Sequence, residues 1–360
     1  MRLGILTGGG DAPGLNAAIR AVVMRAATYG DTVVGFRDGW AGLVGEGLAR
    51  VVRVEDVHGI VGLGGTLLGT SRTDPRKEDR SRAQVLANLR RYDIDALIPM
   101  GGNDTLSVAA WLHEEGVRVV GVPKTVDNDI AQTEHCIGFD TAVSVVMDAL
   151  DRLRTTASAH HRVIVVEVMG RDTGWVAAIG GLAGGADLIL MPELRLTLEE
   201  IGRALERRHA RGQTDTIVVV AEGVDFPDLG GLREATTKDA FGHIRLDQRA
   251  LGDALARAIE QRTGYETRAV VLGHLQRGGS PTATDRLWAT RFGDAAVDLV
   301  HQGKFGVLPV ARGDAVATVP LKDAVATVRG VPADIVELAR RLAGTGVPEI
   351  PLRAPAHRVG

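Results

Sequence analysis

The sequence predicts an α/β chain: two lobes with mainly parallel sheets flanked by helices, sharing a cleft that holds the active site. Three observations carry this expectation. Short apolar runs alternate with helix-period runs from Leu3 to Gln302, the pattern of βαβ units with right-handed crossovers. Several of those runs end in loops rich in glycine and carboxylates, and α/β sheets bind ligands at the carboxyl ends of their strands. No change of composition marks a linker, and 360 residues suffice for two domains or one large α/β unit.

Taken in order, Leu3 to Thr7 reads as the first strand. The loop Gly8-Gly-Gly-Asp-Ala-Pro-Gly14 follows, then a helix from Leu15 to Tyr29 with Ala, Ile and Val on its inner face. Thr32 to Phe36 is a second strand. Gly39 to Gly47 is glycine-rich and predicts loops or a short hairpin, Val54 to Val61 a helical piece, and Gly62 to Pro75 a loop of unusual backbone shape. Arg76 to Tyr92 has a helical period. Two strands, Asp95 to Met100 and Val117 to Val122, each lead into a polar run. Beyond them come helix Thr141 to Ala159, strand Arg162 to Val168, helix Thr173 to Ala183, strand Asp187 to Met191, helix Thr197 to Arg211 and strand Thr216 to Ala221. Gly223 to Phe241 is a loop of mixed polarity. Leu246 to Thr263 is helical, Arg268 to Leu272 a strand, and Thr282 to Gln302 a long helix. The last thirty residues, with Pro348, Pro351 and Pro355, are expected to form an irregular tail.

Composition excludes several classes. A hydrophobic content of 45% supports a full core rather than intrinsic disorder. The net charge of −3 argues against a nucleic-acid surface, and 4% aromatics leave little for base stacking. No apolar run approaches the roughly 20 residues that span a bilayer. The N-terminus enters a strand pattern directly, without a signal-peptide layout. The single cysteine, Cys136, cannot form an intrachain disulfide, so a cytoplasmic location is expected.

Two runs carry the chemistry: Gly101-Gly-Asn-Asp-Thr105 and Pro123-Lys-Thr-Val-Asp-Asn-Asp129. Glycines that admit close backbone approach stand beside carboxylates, an amide, a hydroxyl and a lysine. That mixture suits a phosphate chain and its Mg²⁺. The opening loop has the Gly9-x-x-x-x-Gly14 spacing of a Walker A loop, but Leu15 and Asn16 stand where Lys and Ser/Thr are required. It is therefore either an anion cradle at a helix N-terminus or a plain tight turn. In an extended segment Asp127 and Asp129 would face one side. One would then serve as a base and the other would arrange metal and water. Arg162, Arg171, Arg268, His274 and Arg277 all stand at strand ends, and guanidinium forks suit phosphate. Glu222 could accept hydrogen bonds from sugar hydroxyls.

Over residues Leu3 to about Ala343 the chain resembles the phosphofructokinase family. The matching motifs are Gly-Gly-Asp-Ala-Pro-Gly (9–14), Pro-Lys-Thr-Val-Asp-Asn-Asp (123–129), Met-Gly-Arg (169–171), Ala-Glu-Gly (221–223), Glu-Thr-Arg (266–268) and Leu-Gly-His-Leu-Gln-Arg-Gly-Gly (272–279). Gly-Phe-Arg-Asp-Gly-Trp (35–40) and Gly-Thr-Ser-Arg-Thr-Asp-Pro (69–75) are similar to the actinobacterial branch, which mixes ATP-using and pyrophosphate-using members. The resemblance implies two Rossmann-like lobes. Residues 1–138 plus about 276–320 would form the phosphoryl-donor lobe, and 139–275 plus about 321–345 the sugar-phosphate lobe, with 346–360 as the tail.

The resemblance also implies roles. Asp127 would take the proton from the sugar 1-hydroxyl, with Lys124, Thr125 and Arg171 completing the catalytic set. Thr125, Asp127, Met169, Gly170, Arg171, Glu222, His274 and Arg277 would hold fructose 6-phosphate. Arg162 and Arg268 would reach in from a neighbouring subunit of a homodimer or homotetramer. Gly9, Gly10, Arg72, Gly102, Asp104, Thr105 and Lys124 would bind the donor, and Asn103 and Asp129 would hold Mg²⁺. ATP-using relatives carry glycine at the position of Asp104, leaving space for the nucleotide α-phosphate. Two unit charges about 4 Å apart repel by roughly 4 kcal/mol at intermediate dielectric, so Asp104 favours pyrophosphate as donor. The alternatives are ATP, another ketose phosphate such as sedoheptulose 7-phosphate as acceptor, or a weakly active sugar-phosphate-binding paralogue. The last follows from Asn103, where the family carries Asp or Glu. The family's effector pocket looks incomplete. Arg20 and Arg154 remain, but Met24 replaces an arginine, Asp187 replaces a glutamate, and lysines are missing near Gln213. Weak or no control by ADP or phosphoenolpyruvate is expected.

Overall fold

The computed structural model describes residues 1–194, 196–227, 229, 238, 241–242, 246 and 249–342. In chain order the strands are β1 (Arg2–Thr7), β2 (Thr32–Phe36), β3 (Ala49–Val52), β4 (Ala96–Gly101), β5 (Val122–Pro123), β6 (Val163–Val168), β7 (Leu188–Leu190), β8 (Thr216–Ala221), β9 (Thr267–Val271), β10 (Val307–Arg312) and β11 (Ala315–Pro320). The helices are α1 (Leu15–Thr28), α2 (Trp40–Val44), α3 (Val54–Val57), α4 (Asp79–Arg91), α5 (Asn103–Glu114), α6 (Phe139–His160), α7 (Trp175–Ala183), α8 (Leu198–Ala210), α9 (Leu251–Thr263), α10 (Ala283–His301), α11 (Leu321–Val325) and α12 (Ala333–Leu342). The chain divides into two units. The first comprises Met1–Thr141, Lys238–His243 and Arg277–Arg329, and the second Ala142–Thr237, Ile244–Gln276 and Gly330–Gly360.

The first unit is built on a five-stranded sheet in the order β3-β2-β1-β4-β5. β1 and β4 run parallel at its centre and are apolar almost throughout, as strands covered on both faces must be. Alternate residues feed opposite cores. Leu3 and Ile5 join a cluster with α1 and α10 (Leu15, Ile19, Phe292, Val297). Leu6 joins Trp40, Val85, Leu106 and Leu112 from α2, α4 and α5. The second unit carries a four-stranded sheet, β7-β8-β6-β9, in which every pair is parallel. β6 and β8 are buried end to end. Glu167 is the one charged residue in these two strands. Its carboxylate accepts the Gly252 N–H at 2.6 Å, in the first turn of α9. Burial raises its pKa, opposed by that bond.

Several expectations need correction. Gly39 to Gly47 forms no hairpin: it holds the short helix α2, seated by the fully buried Trp40, and β3 then pairs antiparallel with β2. The strand expected over Val117 to Val122 shrinks to Val122–Pro123. Its backbone divides its hydrogen bonds between neighbours, Val120 N–H to Leu97 on one side and Gly121 N–H to Val307 on the other. β10 and β11 form an antiparallel hairpin that the parallel pattern did not anticipate. The final thirty residues are not wholly irregular. Pro332 precedes α12 and accepts its first backbone bonds, from Ile335 and Val336. The expected tail, 346–360, and most of the loop Gly223 to Phe241 lie outside the described residues.

Candidate active site

In the first unit, parallel pairing sets the carboxyl ends of β1, β4 and β5 side by side, with Thr7 opposite Met100 and Gly101 opposite Pro123. The three polar runs therefore leave the sheet at one edge, beside the point where strand order reverses about β1. The opening loop is tied down at once. Gly8 N–H donates to Met100 O and Gly9 N–H to Ser71 O, both at 3.0 Å. Gly9 has φ +80°, a backbone conformation that favours glycine. A Cβ at Gly10 would lie 2.5 Å from Arg277 Nη1, which itself donates to Asp11 O at 3.1 Å. The opening loop thus lies directly against Arg277.

Lys124 is the centre of this edge. It is 2% exposed, and its Nζ donates to Gly8 O at 3.0 Å and Gly10 O at 2.5 Å. Burial lowers its pKa to about 7. Arg277 and Arg72 push the same way, while Asp11 and Asp127 oppose them. Thr105, also buried, sits where side chains at Gly8 or Gly101 would collide with it. The glycines of two runs thus make room for the threonine of one.

Asn103 and Asp104 begin α5, whose N-cap, Gly102, provides no side-chain bond. Asn103 Nδ2 donates to Asp129 Oδ2 at 3.0 Å, while Asn103 Oδ1 is buried with no hydrogen-bond partner. An orphaned amide oxygen beside a carboxylate is a donor set that fits a hard, oxygen-seeking cation such as Mg²⁺. Among the described residues no three His, Cys, Asp or Glu side chains cluster as metal ligands. A metal that keeps several waters and takes phosphate oxygens needs no such cluster.

Residues 124 to 130 alternate strictly between buried and half-buried, with Thr125, Asp127 and Asp129 on the half-buried side. The alternation survives, but not through an extended strand. Val126 and Asp127 form a turn and Asn128 adopts φ +49°. Asn128 is the inward peg: it is 1% exposed, its Oδ1 accepts Cys136 N–H at 2.9 Å and its Nδ2 donates to Glu134 O. Thr125 Oγ1 accepts Asp127 N–H at 3.1 Å.

In the second unit, Met169–Gly170–Arg171 follow β6, Glu222 follows β8 and His274 follows β9, three neighbouring strands with their carboxyl ends together. Glu222 N–H donates to Val168 O and Gly223 N–H to Gly170 O, both at 2.9 Å. Gly223 lies so close to Arg171 O that a Cβ there would be 1.8 Å away. Gln276, fully buried, accepts Met169 N–H and donates to Gly273 O, joining the first loop to the third. Arg277 falls in the first unit.

The remaining two arginines stand elsewhere. Arg162 precedes β6 and Arg268 is the second residue of β9, paired with Ile164, so both lie at the amino ends of their strands. Six residues of β6 lie between Arg162 and Met169, so the two are about 23 Å apart at ~3.3 Å per residue. The five strand-end cations are therefore not one ring within the unit, because strand ends come in two kinds. Arg162 Nη2 and Arg268 Nη2 instead meet one carboxylate oxygen, Glu266 Oε1, at 2.8 and 2.5 Å. The Arg162 hydrogen bond, then both charges, hold that carboxyl below its ordinary range. Sequence reasoning missed Glu266, Gln276, Asn128 and Asp11. All lie within quoted motifs, but their partners are distant or backbone.

Comparisons with known proteins identify the family. A family model described as phosphofructokinase matches residues 2–300. A pyrophosphate–fructose 6-phosphate 1-phosphotransferase of Amycolatopsis methanolica is 51% identical over 94% of this chain and 98% of its own. An ATP-dependent 6-phosphofructokinase of Streptomyces coelicolor is 48% identical over 93% and 97%. Among solved structures, a pyrophosphate-dependent phosphofructokinase of Nitrosospira multiformis superposes with a TM-score of 0.80 at 21% identity, over 99% of this chain and 95% of that one. The fold is thus shared with a protein of little sequence likeness, and about half of the sequence with relatives along nearly the whole chain. The chain belongs to the phosphofructokinase family.

Proposed function

We propose that this chain transfers a phosphoryl group from pyrophosphate to the 1-hydroxyl of fructose 6-phosphate, giving fructose 1,6-bisphosphate and phosphate, reversibly. The observation that carries the reading is the shared edge of β1, β4 and β5, where Lys124 clamps the glycine loop and α5 begins with Asp104 in its first turn. Asp127 accepts the proton of the 1-hydroxyl as its oxygen attacks the terminal phosphorus of the donor. The bond to the other phosphate breaks, and Lys124 neutralises that leaving phosphate. Arg72 and Arg171 offset charge on the group in transfer. The glycine loop and Gly102 let backbone approach the diphosphate, and Thr105 fixes the loop's depth. Asp129 and the Asn103 amide oxygen would hold Mg²⁺, which supplies charge neutralisation on the phosphates when bound. Met169, Gly170, Arg171, Glu222 and His274 hold the sugar, with Thr125 and Arg277.

Asp104 supports pyrophosphate over ATP: its carboxylate opposes a nucleotide α-phosphate and leaves a bare diphosphate unhindered. Relatives named for pyrophosphate, at 48–51% identity, support the same choice. ATP is kept as the second reading because relatives named for it are 46–48% identical. Arg162 and Arg268 point to an oligomer, since they lie at the wrong end of their own sheet to join Met169 and His274. The first unit serves as donor lobe and the second as sugar lobe, in the cytoplasm. No described helix is long and apolar enough to cross a membrane. A coupled assay with Mg²⁺ and each donor tests the reading. Turnover with pyrophosphate and little with ATP is expected, and the reverse preference overturns it.

A further inference from the structure

Arg162 precedes β6 and Arg268 lies in β9, yet each spends one Nη2 donor on the same oxygen, Glu266 Oε1. An oxygen held between two guanidiniums occupies the position a phosphate oxygen would take. The contact is also incomplete: Arg162 Nε is buried with no hydrogen-bond partner, so its donor set is not filled by the carboxylate. Glu260 lies 3.9 Å from Arg268 Nη1, too far for a hydrogen bond, and so does not replace Glu266 as its close partner. Glu266 is exposed enough to swing into water.

We infer that Glu266 is an internal competitor for the sugar phosphate: it occupies Arg162 and Arg268 at rest and is displaced when the phosphate arrives. This rests on the proposed role of those two arginines in holding the 6-phosphate. A phosphate dianion brings more charge and more acceptor oxygens than one carboxylate, so exchange favours the substrate while the resting pair stays ordered. The carboxylate thereby sets the affinity for sugar phosphate without touching the reacting atoms. It is a specificity-tuning residue and not a catalytic one.

The test is a steady-state series on the full chain: wild type, Glu266→Gln, Glu266→Asp, Arg162→Gln and Arg268→Gln. Binding of fructose 6-phosphate without donor is followed by calorimetry, and melting temperature serves as a control for folding. Glu266→Gln is expected to lower KM and Kd for fructose 6-phosphate about three- to tenfold with kcat nearly unchanged. Glu266→Asp, which keeps the charge, should stay near wild type. Arg162→Gln and Arg268→Gln should raise KM at least tenfold. If the arginine variants raise KM but Glu266→Gln leaves it unchanged or raises it, the competitor role is wrong and the arginine assignment stands. If the arginine variants leave KM unmoved, the underlying site reading fails instead.

Discussion

Asn103 and Asp129 form a direct pair, the amide Nδ2 donating to the carboxylate Oδ2 at 3.0 Å, with the amide oxygen left buried and unbonded. The pair is neutral on one side and so tolerates the absence of a cation. Asn103→Asp would set two carboxylates in that contact. Like charges at such range drive one pKa upward unless a metal separates them. The variant should therefore melt lower in chelator than the wild type. It should also gain about tenfold in apparent Mg²⁺ affinity, read from activity against free Mg²⁺. Unchanged Mg²⁺ dependence would remove these residues from the metal site.

Lys124 predicts a pH dependence with a definite sign. Its pKa falls from 10.5 to about 7 in the fold. Between about pH 7 and 10.5 the unfolded chain binds the extra proton, so this group's contribution to stability rises with pH. Below about pH 7 the buried charge is present in full, and costs on the order of 5 kcal/mol. Lys124→Met should then raise the melting temperature most below pH 7, with the gain fading towards pH 10.

In the proposed reaction the same lysine must be charged to hold a diphosphate. Pyrophosphate affinity should weaken up to about tenfold per pH unit above about 7. Binding near pH 8 should take up close to one proton, measured by calorimetry in buffers of different ionisation enthalpy. Lys124→Arg should abolish that uptake. A pH-independent affinity in the wild type would mean the lysine stays charged in its carbonyl clamp.

Asp104→Gly removes the carboxylate from the first turn of α5. ATP turnover should rise by at least tenfold relative to pyrophosphate, since about 1.4 kcal/mol of relieved repulsion is tenfold. An unchanged donor ratio in competition assays would show that selectivity is set elsewhere.

Control by ADP or phosphoenolpyruvate should be slight. Arg154, one of the effector arginines expected from the sequence, is engaged by Asp187 at 2.6 Å, by Asp215 at 3.4 Å and by Gly185 O. Asp187 also holds Arg208 at 2.5 Å. An arginine committed to two carboxylates has little left for a phosphate. Saturation curves for fructose 6-phosphate with and without each compound should differ less than twofold in half-saturation.

The sequence was most legible where strands are buried on both faces. β1, β4, β6 and β8 are short apolar runs, and the elements found there differ from expectation by a residue or so. The two glycine- and carboxylate-bearing runs stood out for a related reason: such residues immediately after buried strands have few uses. What failed were features set by partners remote in sequence. β5 is cut short because Val307 competes for its backbone. Glu266 and Gln276 stand out only once β6 and β9 are seen to be neighbours. Strand-end arginines were recognised as such, but a one-dimensional reading does not say which end of the sheet each one occupies.

The placement of Arg162 and Arg268 at the amino ends of β6 and β9 has a genetic consequence. If these arginines serve a sister molecule, damage to one copy can be masked by another. An Asp127→Asn chain and an Arg162→Ala chain, each nearly dead alone, would regenerate one intact centre in every mixed pair, and co-expression would restore growth or turnover that neither allele supports.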